Sequence, residues 1–140
     1  MNNSNQTITV ETTVKAPISK VWQSFTEPQH TTNWSFASED WHAPEAENDL
    51  RIGGKFRTKM AAKDGSMAFD FEGEYTQVEN HKKIEYVMGD GRRVSVSFED
   101  SGDTVKVTET FDPENTHPIE FQKAGWQAIM DNFKKYTETL

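Results

Sequence analysis

The chain contains no cysteine, so neither a disulfide framework nor thiolate chemistry is available to it. It also lacks an apolar run long enough to span a bilayer, and its polar start, Met1–Gln6, contains no apolar signal segment. Positive charge is scarce, because 15 Lys and Arg stand against 23 Asp and Glu, for a formal net charge of −8. Such a protein repels phosphate backbones and anionic lipids, which argues against nucleic acid as a partner and against membrane insertion. We therefore expect a cytoplasmic protein, and its 140 residues fit a single domain, 1–140.

Recognisable metal-binding and catalytic motifs are absent too. No histidine has a second His or a carboxylate at a metal-ligand spacing, and the histidines fall in loops or at helix starts: His30, His42, His81 and His117. The sequence contains no GxSxG elbow, phosphate-binding loop or dinucleotide-binding glycine pattern. We therefore predict neither a metal nor a cofactor.

Aromatic residues, in contrast, are plentiful, with nine Phe, four Trp and three Tyr. Apolar and polar residues alternate over 7–15 and again over much of 52–111, where turn signals interrupt them at 63–66, 80–83, 89–91 and 100–103. This pattern is typical of antiparallel strands with one covered and one wet face. Two short helices are predicted after the first strand, and Ser35–Arg51 is interpreted as a long loop with at most a little strand.

The last segment, 116–140, has the pattern of one long amphipathic helix. Its apolar stripe repeats at spacings of three and four residues: Ile119, Gln122, Trp126, Ile129, Phe133 and Tyr136. Thr116 is the predicted N-cap, with Pro118 in the first turn. Gly125 lies inside the helix, where glycine costs up to about 1 kcal/mol relative to alanine. It indicates either a close approach of the helix to the sheet, the commoner reason, or room for a ligand.

Several short motifs in this order resemble those of the SRPBCC superfamily (START-related, birch-pollen-allergen-like, helix-grip). They are Ala16–Trp22, Thr26–Trp34, Ile52–Phe56, Gly73–Glu79, Thr108–Phe111 and Gly125–Trp126 with Phe133. The last ones resemble the branch of heat-shock-protein ATPase activators, which suggests a link to the stress response. The resemblance implies an α+β helix-grip fold, in which a curved antiparallel sheet wraps around a long C-terminal helix. Its members use the resulting cup for ligand carriage, cyclisation and chaperone regulation.

Strand parity identifies the charged residues that face inward, Arg92 and Glu109. If Glu99 pairs with Thr104 across the turn between their strands, Arg92 lies diagonal to Glu109 at a Cα separation of about 7–8 Å. Tyr86 then lies in the same row, one strand further away. These three side chains would form one polar cluster, serving as a structural pair near the rim, as a group that orients the polar end of a ligand, or as a catalytic site.

The function that these observations favour is non-catalytic binding of a small, largely hydrophobic molecule in the cup. The predicted ligand-binding residues are Phe25, Trp34, Phe56, Phe69, Phe71, Tyr86, Arg92, Glu109, Trp126 and Ile129, and Trp22 is expected in the same apolar lining. A larger residue at Gly73 should fill the cavity. One alternative is a protein-interaction module that docks a basic partner on the outer row Asp70, Glu72 and Glu74. Another is a cyclase- or hydrolase-type enzyme that uses Glu109.

Overall fold

The computed structural model describes residues 6–140, which contain seven strands and three helices. Residues 1–5, most of the polar start, lie outside the described part of the chain. In chain order the elements are β1 (Ile8–Val14), α1 (Ile18–Thr26), α2 (Pro28–Thr31), β2 (Trp41–Asn48), β3 (Lys55–Ala62), β4 (Ala68–Glu79), β5 (Lys83–Met88), β6 (Arg93–Asp100), β7 (Val105–Phe111) and α3 (Ile119–Thr137).

The strands form one curled sheet in the order β1-β7-β6-β5-β4-β3-β2, and every neighbouring pair is antiparallel. Strands β2 to β7 follow one another as a meander, and β1 pairs with β7 at the far edge. The helix α3 packs against β1 and α1 on the concave side. The α+β helix-grip architecture expected from the sequence is thus confirmed, including the two short helices after the first strand.

The segment expected as a long loop, Ser35–Arg51, contains a full edge strand instead. Residues Trp41–Asn48 form β2 and pair with β3, so the irregular residues are 32–40 before this strand and 49–54 after it. Pro44 and the weak alternation of apolar residues hide the strand, but proline is tolerated on sheet edges and at bulges. The Arg57 guanidinium on β3 bonds Glu45 at 3.1 Å and other carboxylates beside it, which ties β2 to the sheet.

The helix α3 begins later than predicted, after Pro118, and Thr116 does not cap it. The Glu114 carboxylate instead accepts hydrogen bonds from the backbone N–H groups of Thr116 and His117, both at 2.7 Å. This turn directs the chain from the end of β7 back across the concave face of the sheet. Pro118 is the N-cap residue, and the helix begins at Ile119.

The two halves of α3 differ in their packing. In the C-terminal half Phe133 is fully buried, with its ring 4.9 Å from that of Trp34 and 5.4 Å from that of Phe25. A buried hydrogen bond of 2.7 Å joins Ser24 to Thr137. In the N-terminal half the Phe121 side chain is 64% exposed. The core is therefore closed beneath the end of α3 and open beneath its beginning.

Trp22 belongs to the closed part of this core rather than to a cavity lining. Its indole is buried, and its ring packs edge-on against Phe98 at 5.0 Å and near His81 at 5.8 Å. The expectation that Trp22 lines a cavity is therefore wrong. Phe25, one turn later on α1, also packs on Phe133 but lies at the boundary of this core, because it lines the cavity as well.

Candidate functional site

A cavity of about 850 Å³ lies between the concave face of the sheet and the N-terminal half of α3. All the residues predicted to bind a ligand line it: Phe25, Trp34, Phe56, Phe69, Phe71, Tyr86, Arg92, Glu109, Trp126 and Ile129. Small-molecule sites in proteins typically enclose roughly 300–1,000 Å³. The cavity therefore has the size of a site for a small organic molecule.

Aromatic rings form much of the cavity wall. The Phe56 ring on β3 lies 4.7 Å from the Tyr86 ring and 5.4 Å from the Tyr75 ring, which links β3, β4 and β5. Trp126 on α3 stacks on Phe111 of β7 with ring centroids 3.8 Å apart. Offset and edge-on aromatic contacts of this kind are favourable beyond simple burial. They hold the wall in place without filling the space between the helix and the sheet.

Gly125 lies on the face of α3 that lines the cavity. A Cβ atom built on it meets no other atom within 4 Å, apart from the neighbouring backbone of the helix itself. The helix therefore does not approach the sheet closely here, and the commoner explanation of this glycine is wrong. Gly125 leaves open space above the sheet, at a cost in helix propensity of about 1 kcal/mol.

The cavity has a mouth rimmed by exposed apolar side chains. Met67, Phe69 and Phe121 are 62%, 50% and 64% exposed, and all of them line the cavity. Exposed apolar patches on a protein surface often mark the site where a ligand or a partner binds. The β3–β4 hairpin and the first turn of α3 therefore form the apolar entrance.

Glu109 is the buried carboxyl of the cavity. It lies on β7 opposite Val96 on one side and Val10 on the other, and only 9% of the residue is exposed. No hydrogen bond or ion pair joins its side chain to another residue in the described range 6–140. Burial without a partner disfavours the charged form and raises the pKa of Glu109 to about 8. The carboxyl is therefore mostly protonated at neutral pH.

Tyr86 contributes a second buried polar group to the same wall. The residue is 5% exposed, and its hydroxyl makes no hydrogen bond to the part of the chain that the structure describes. Burial, followed by the nearby Glu109 carboxylate, raises the pKa of Tyr86 well above its ordinary value. Tyr75 differs, since its hydroxyl donates a hydrogen bond of 2.6 Å to Asn48 Oδ1. Glu109 and Tyr86 thus present polar atoms to the cavity.

Arg92 lies near Tyr86 but far from Glu109, so the predicted three-residue polar cluster is wrong. Glu109 pairs with Val96, four residues from Arg92, which corresponds to about 13 Å along the strand. Arg92 Nε instead lies 2.8 Å from Asp90 Oδ2 in the turn between β5 and β6. The arginine lines the cavity near its rim, and its charge is neutralised there.

The comparison with protein families decides where the chain belongs. Residues 15–138 match the family described as activator of Hsp90 ATPase homolog 1-like protein. The chain is a member of that family. None of the curated proteins matches it. Membership also confirms the predicted SRPBCC superfamily and its heat-shock-protein ATPase activator branch, and this fold commonly binds hydrophobic ligands or proteins.

Solved structures of similar proteins agree with this assignment. An AHSA1-like protein from Aeromonas hydrophila is 43% identical, with a TM-score of 0.89, covering 96% of this chain and 93% of its own. A protein from Cytophaga hutchinsonii is 56% identical, with a TM-score of 0.81 and coverages of 94% and 92%. A protein from Nitrosomonas europaea, at 16% identity and a TM-score of 0.81 over 99% and 97% of the two chains, shares the fold.

One polar cluster of this AHSA1-like chain was not predicted from its sequence. His117 Nδ1 lies 2.7 Å from Glu114 Oε2, and the Gln122 side chain bonds the backbone of both residues at 2.8–3.2 Å. All three line one end of the cavity. The contact with His117 holds the pKa of Glu114 below its ordinary value. The sequence signal that could have predicted this cluster is the spacing Glu114-x-x-His117 just before the helix. In the structure the cluster provides hydrogen bonds to backbone groups at the start of α3.

Two further properties concern the described residues 6–140. They contain no group of three or more His, Cys, Asp or Glu that could hold a metal ion. None of their helices is both long enough and apolar enough to cross a bilayer.

Proposed function

We propose that this protein binds a small, largely hydrophobic molecule in the cavity beneath α3, without converting it chemically. The observation that carries the proposal is the open space beside Gly125, on the face of α3 that lines the aromatic cavity. Water in such a cavity contacts apolar surface, and a hydrophobic ligand that displaced this water would bury that surface. A molecule that buries about 300 Å² of apolar surface there gains roughly 7 kcal/mol before the entropy of association is subtracted.

Filling the cavity from the helix tests the proposal. We expect Gly125→Leu to weaken the binding of a neutral hydrophobic dye such as Nile red by at least about tenfold, because the side chain enters the open space. The fold should persist, since leucine is the better helix former by about 0.8 kcal/mol. Dye fluorescence titrations and circular dichroism measure the two effects.

Gly125→Ala is the matched control, because it gives the same gain in helix propensity with a much smaller volume. Binding that is equal in the wild type, Gly125→Ala and Gly125→Leu would contradict the proposal. Native mass spectrometry of freshly purified protein is an independent test, because a bound small molecule adds its mass to that of the chain. Gly73 is unsuitable as a filling position, since a Cβ there would lie 2.9 Å from the Val87 carbonyl oxygen.

The two alternatives from the sequence have less support. Arg57 Nη1 lies 3.3 Å from Asp70 Oδ1, so the outer acidic row with Glu72 and Glu74 is partly neutralised as a docking surface. The raised pKa of Glu109 suits a general acid. Arg92 is paired with Asp90 and does not lie beside Glu109, so Glu109 lacks the second catalytic group that most mechanisms need. A cytoplasmic location stays a prediction.

A further inference from the structure

We propose that the cavity selects neutral ligands that carry a hydrogen-bonding oxygen, such as a ketone or a phenol, at the end held by Glu109 and Tyr86. The inference rests on the proposed function and names the chemical class of its ligand. It excludes carboxylates and ammonium compounds of the same apolar shape as preferred ligands.

The first step is the shortage of partners inside an otherwise apolar site. Among residues 6–140 every fully enclosed side-chain nitrogen or oxygen has a hydrogen-bond partner, so a polar atom that lacks one opens onto space that water or a ligand can enter. Glu109 and Tyr86 are both more than nine-tenths buried, line the cavity, and make no side-chain hydrogen bond within residues 6–140. Both groups border the cavity, where a ligand could lie. A ligand oxygen would supply the missing hydrogen bonds.

The second step is the placement of the two groups. Tyr86 on β5 pairs with Val94 on β6, and Glu109 on β7 pairs with Val96 two residues further along β6. Two strand spacings of about 5 Å each and an offset of two residues, about 7 Å, place their backbones about 12 Å apart. Both side chains rise from the concave face of a curled sheet, so they lean toward each other. One oxygen-bearing group of a ligand can therefore lie between the carboxyl and the hydroxyl.

The third step is charge. The neighbours of Glu109 across the sheet are Val96 and Val10, and Arg92 is paired with Asp90 near the rim. A ligand carboxylate would thus enter a site where none of the described residues offers it a free cation. A ligand ammonium group would have to ionise Glu109 and bury two charges away from water, and the desolvation of such a pair can exceed its attraction. A protonated carboxyl and a phenol match a neutral oxygen, because each can donate and accept.

The test compares biphenyl compounds that differ in one group: unsubstituted biphenyl, its methyl ketone, its phenol, its carboxylate and its methylammonium derivative. Binding to the full chain at neutral pH is measured by calorimetry. We expect the ketone and the phenol to bind at least about tenfold tighter than the carboxylate and the ammonium compound. They should also bind several-fold tighter than biphenyl itself, since that compound leaves both protein groups without a partner.

Variants of the carboxyl assign the preference to this end of the cavity. Glu109→Gln keeps a donor and an acceptor, so it should keep the preference for the ketone, whereas Glu109→Leu should lose it. Tyr86→Phe should weaken ketone binding several-fold. The exposed Glu99→Gln makes the same substitution away from the cavity and should leave binding unchanged. The infrared carbonyl band of the bound ketone should move to lower frequency in the wild type and return toward its free value in Glu109→Leu.

Each contrary result has its own meaning. Tighter binding of the ammonium compound or of the carboxylate would overturn the inference. Equal binding of all the biphenyls, blocked by Gly125→Leu, would also overturn it while leaving the proposed function in place. If no biphenyl binds and Nile red binding ignores Gly125→Leu, the proposed function fails together with the inference.

Discussion

Replacing Glu109 with glutamine is expected to raise the free energy of unfolding by roughly 2–4 kcal/mol at pH 8 and above. Burial raises the pKa of this carboxyl from 4.5 to about 8. Each pKa unit corresponds to about 1.4 kcal/mol, so a shift of this size sets an upper bound of about 5 kcal/mol. Water in the adjoining cavity screens part of the charge, which places the expected gain below that bound. Glutamine has nearly the same shape and carries no charge to bury.

The sign follows from proton binding. Between about pH 4.5 and pH 8 the folded protein holds the Glu109 proton while the unfolded chain has lost it. The contribution of this residue to stability therefore falls as pH rises through that window and levels off above it. The wild type should lose stability relative to Glu109→Gln from pH 5 to pH 9, and the two should be closest at the acid end.

Urea unfolding of both proteins at about pH 5, 7 and 9 measures this difference. The exposed Glu99→Gln on the neighbouring strand is the matched control, because it makes the same substitution without relieving a buried carboxyl. A stability difference that stays constant with pH, or one that Glu99→Gln reproduces, would show that Glu109 is not a buried acid. That result would remove a premise of the ligand preference as well.

The inward faces of the strands could be predicted because the side-chain period of a strand is two whatever its partner. Phe56, Phe71, Tyr86 and Glu109 were assigned to the concave face from parity alone, and they line the cavity. The C-terminal helix stripe was predictable for the same reason, with a period near 3.6. These signals are local, so an error in the length of a turn does not disturb them.

Cross-strand partners depend on turn length, and there the sequence was insufficient. Asp100 pairs with Val105, and Ser101 N–H bonds the Thr104 carbonyl at 2.9 Å, so the connection has four residues. The predicted pairing of Glu99 with Thr104 is therefore wrong by two residues. Because the shift is even, both strands keep their inward faces, but Glu109 faces Val96. Glycine and aspartate in this turn indicate its position without selecting its length.

The cavity itself could be suspected from the sequence but not established. Alternation says which side chains point toward the helix, and it does not say how far away the helix lies. That distance depends on Phe133 packed between Trp34 and Phe25, which are tertiary contacts, and on the local turn at Glu114 that sets where the helix starts. Gly125 was the one local signal for a cavity, but a glycine at this position fits either a close approach of the helix to the sheet or open space between them. The structure shows open space.

Gly73→Ala is expected to destabilise the protein by roughly 1–3 kcal/mol, because the strand has no room for a methyl group. A Cβ on Gly73 would lie 2.9 Å from Phe56 Cε2 and 2.9 Å from the Val87 carbonyl oxygen. The ring can turn aside, but the carbonyl belongs to β5, which pairs with β4 at this point. Relief of the clash therefore has to move one strand against the other.

Gly125→Ala is the matched comparison, since it adds the same methyl group to the same chain at a position with nothing within 4 Å. It should stabilise the protein by up to about 1 kcal/mol through helix propensity alone. Chemical unfolding of the two variants beside the wild type gives both values. A loss of stability in Gly73→Ala together with a gain in Gly125→Ala would show that the sheet is tightly packed at Gly73 and that there is open space beside the helix at Gly125. A loss of stability in Gly125→Ala comparable to that in Gly73→Ala would mean that the helix rests on the sheet, and a cavity wall at Gly125 could not be maintained.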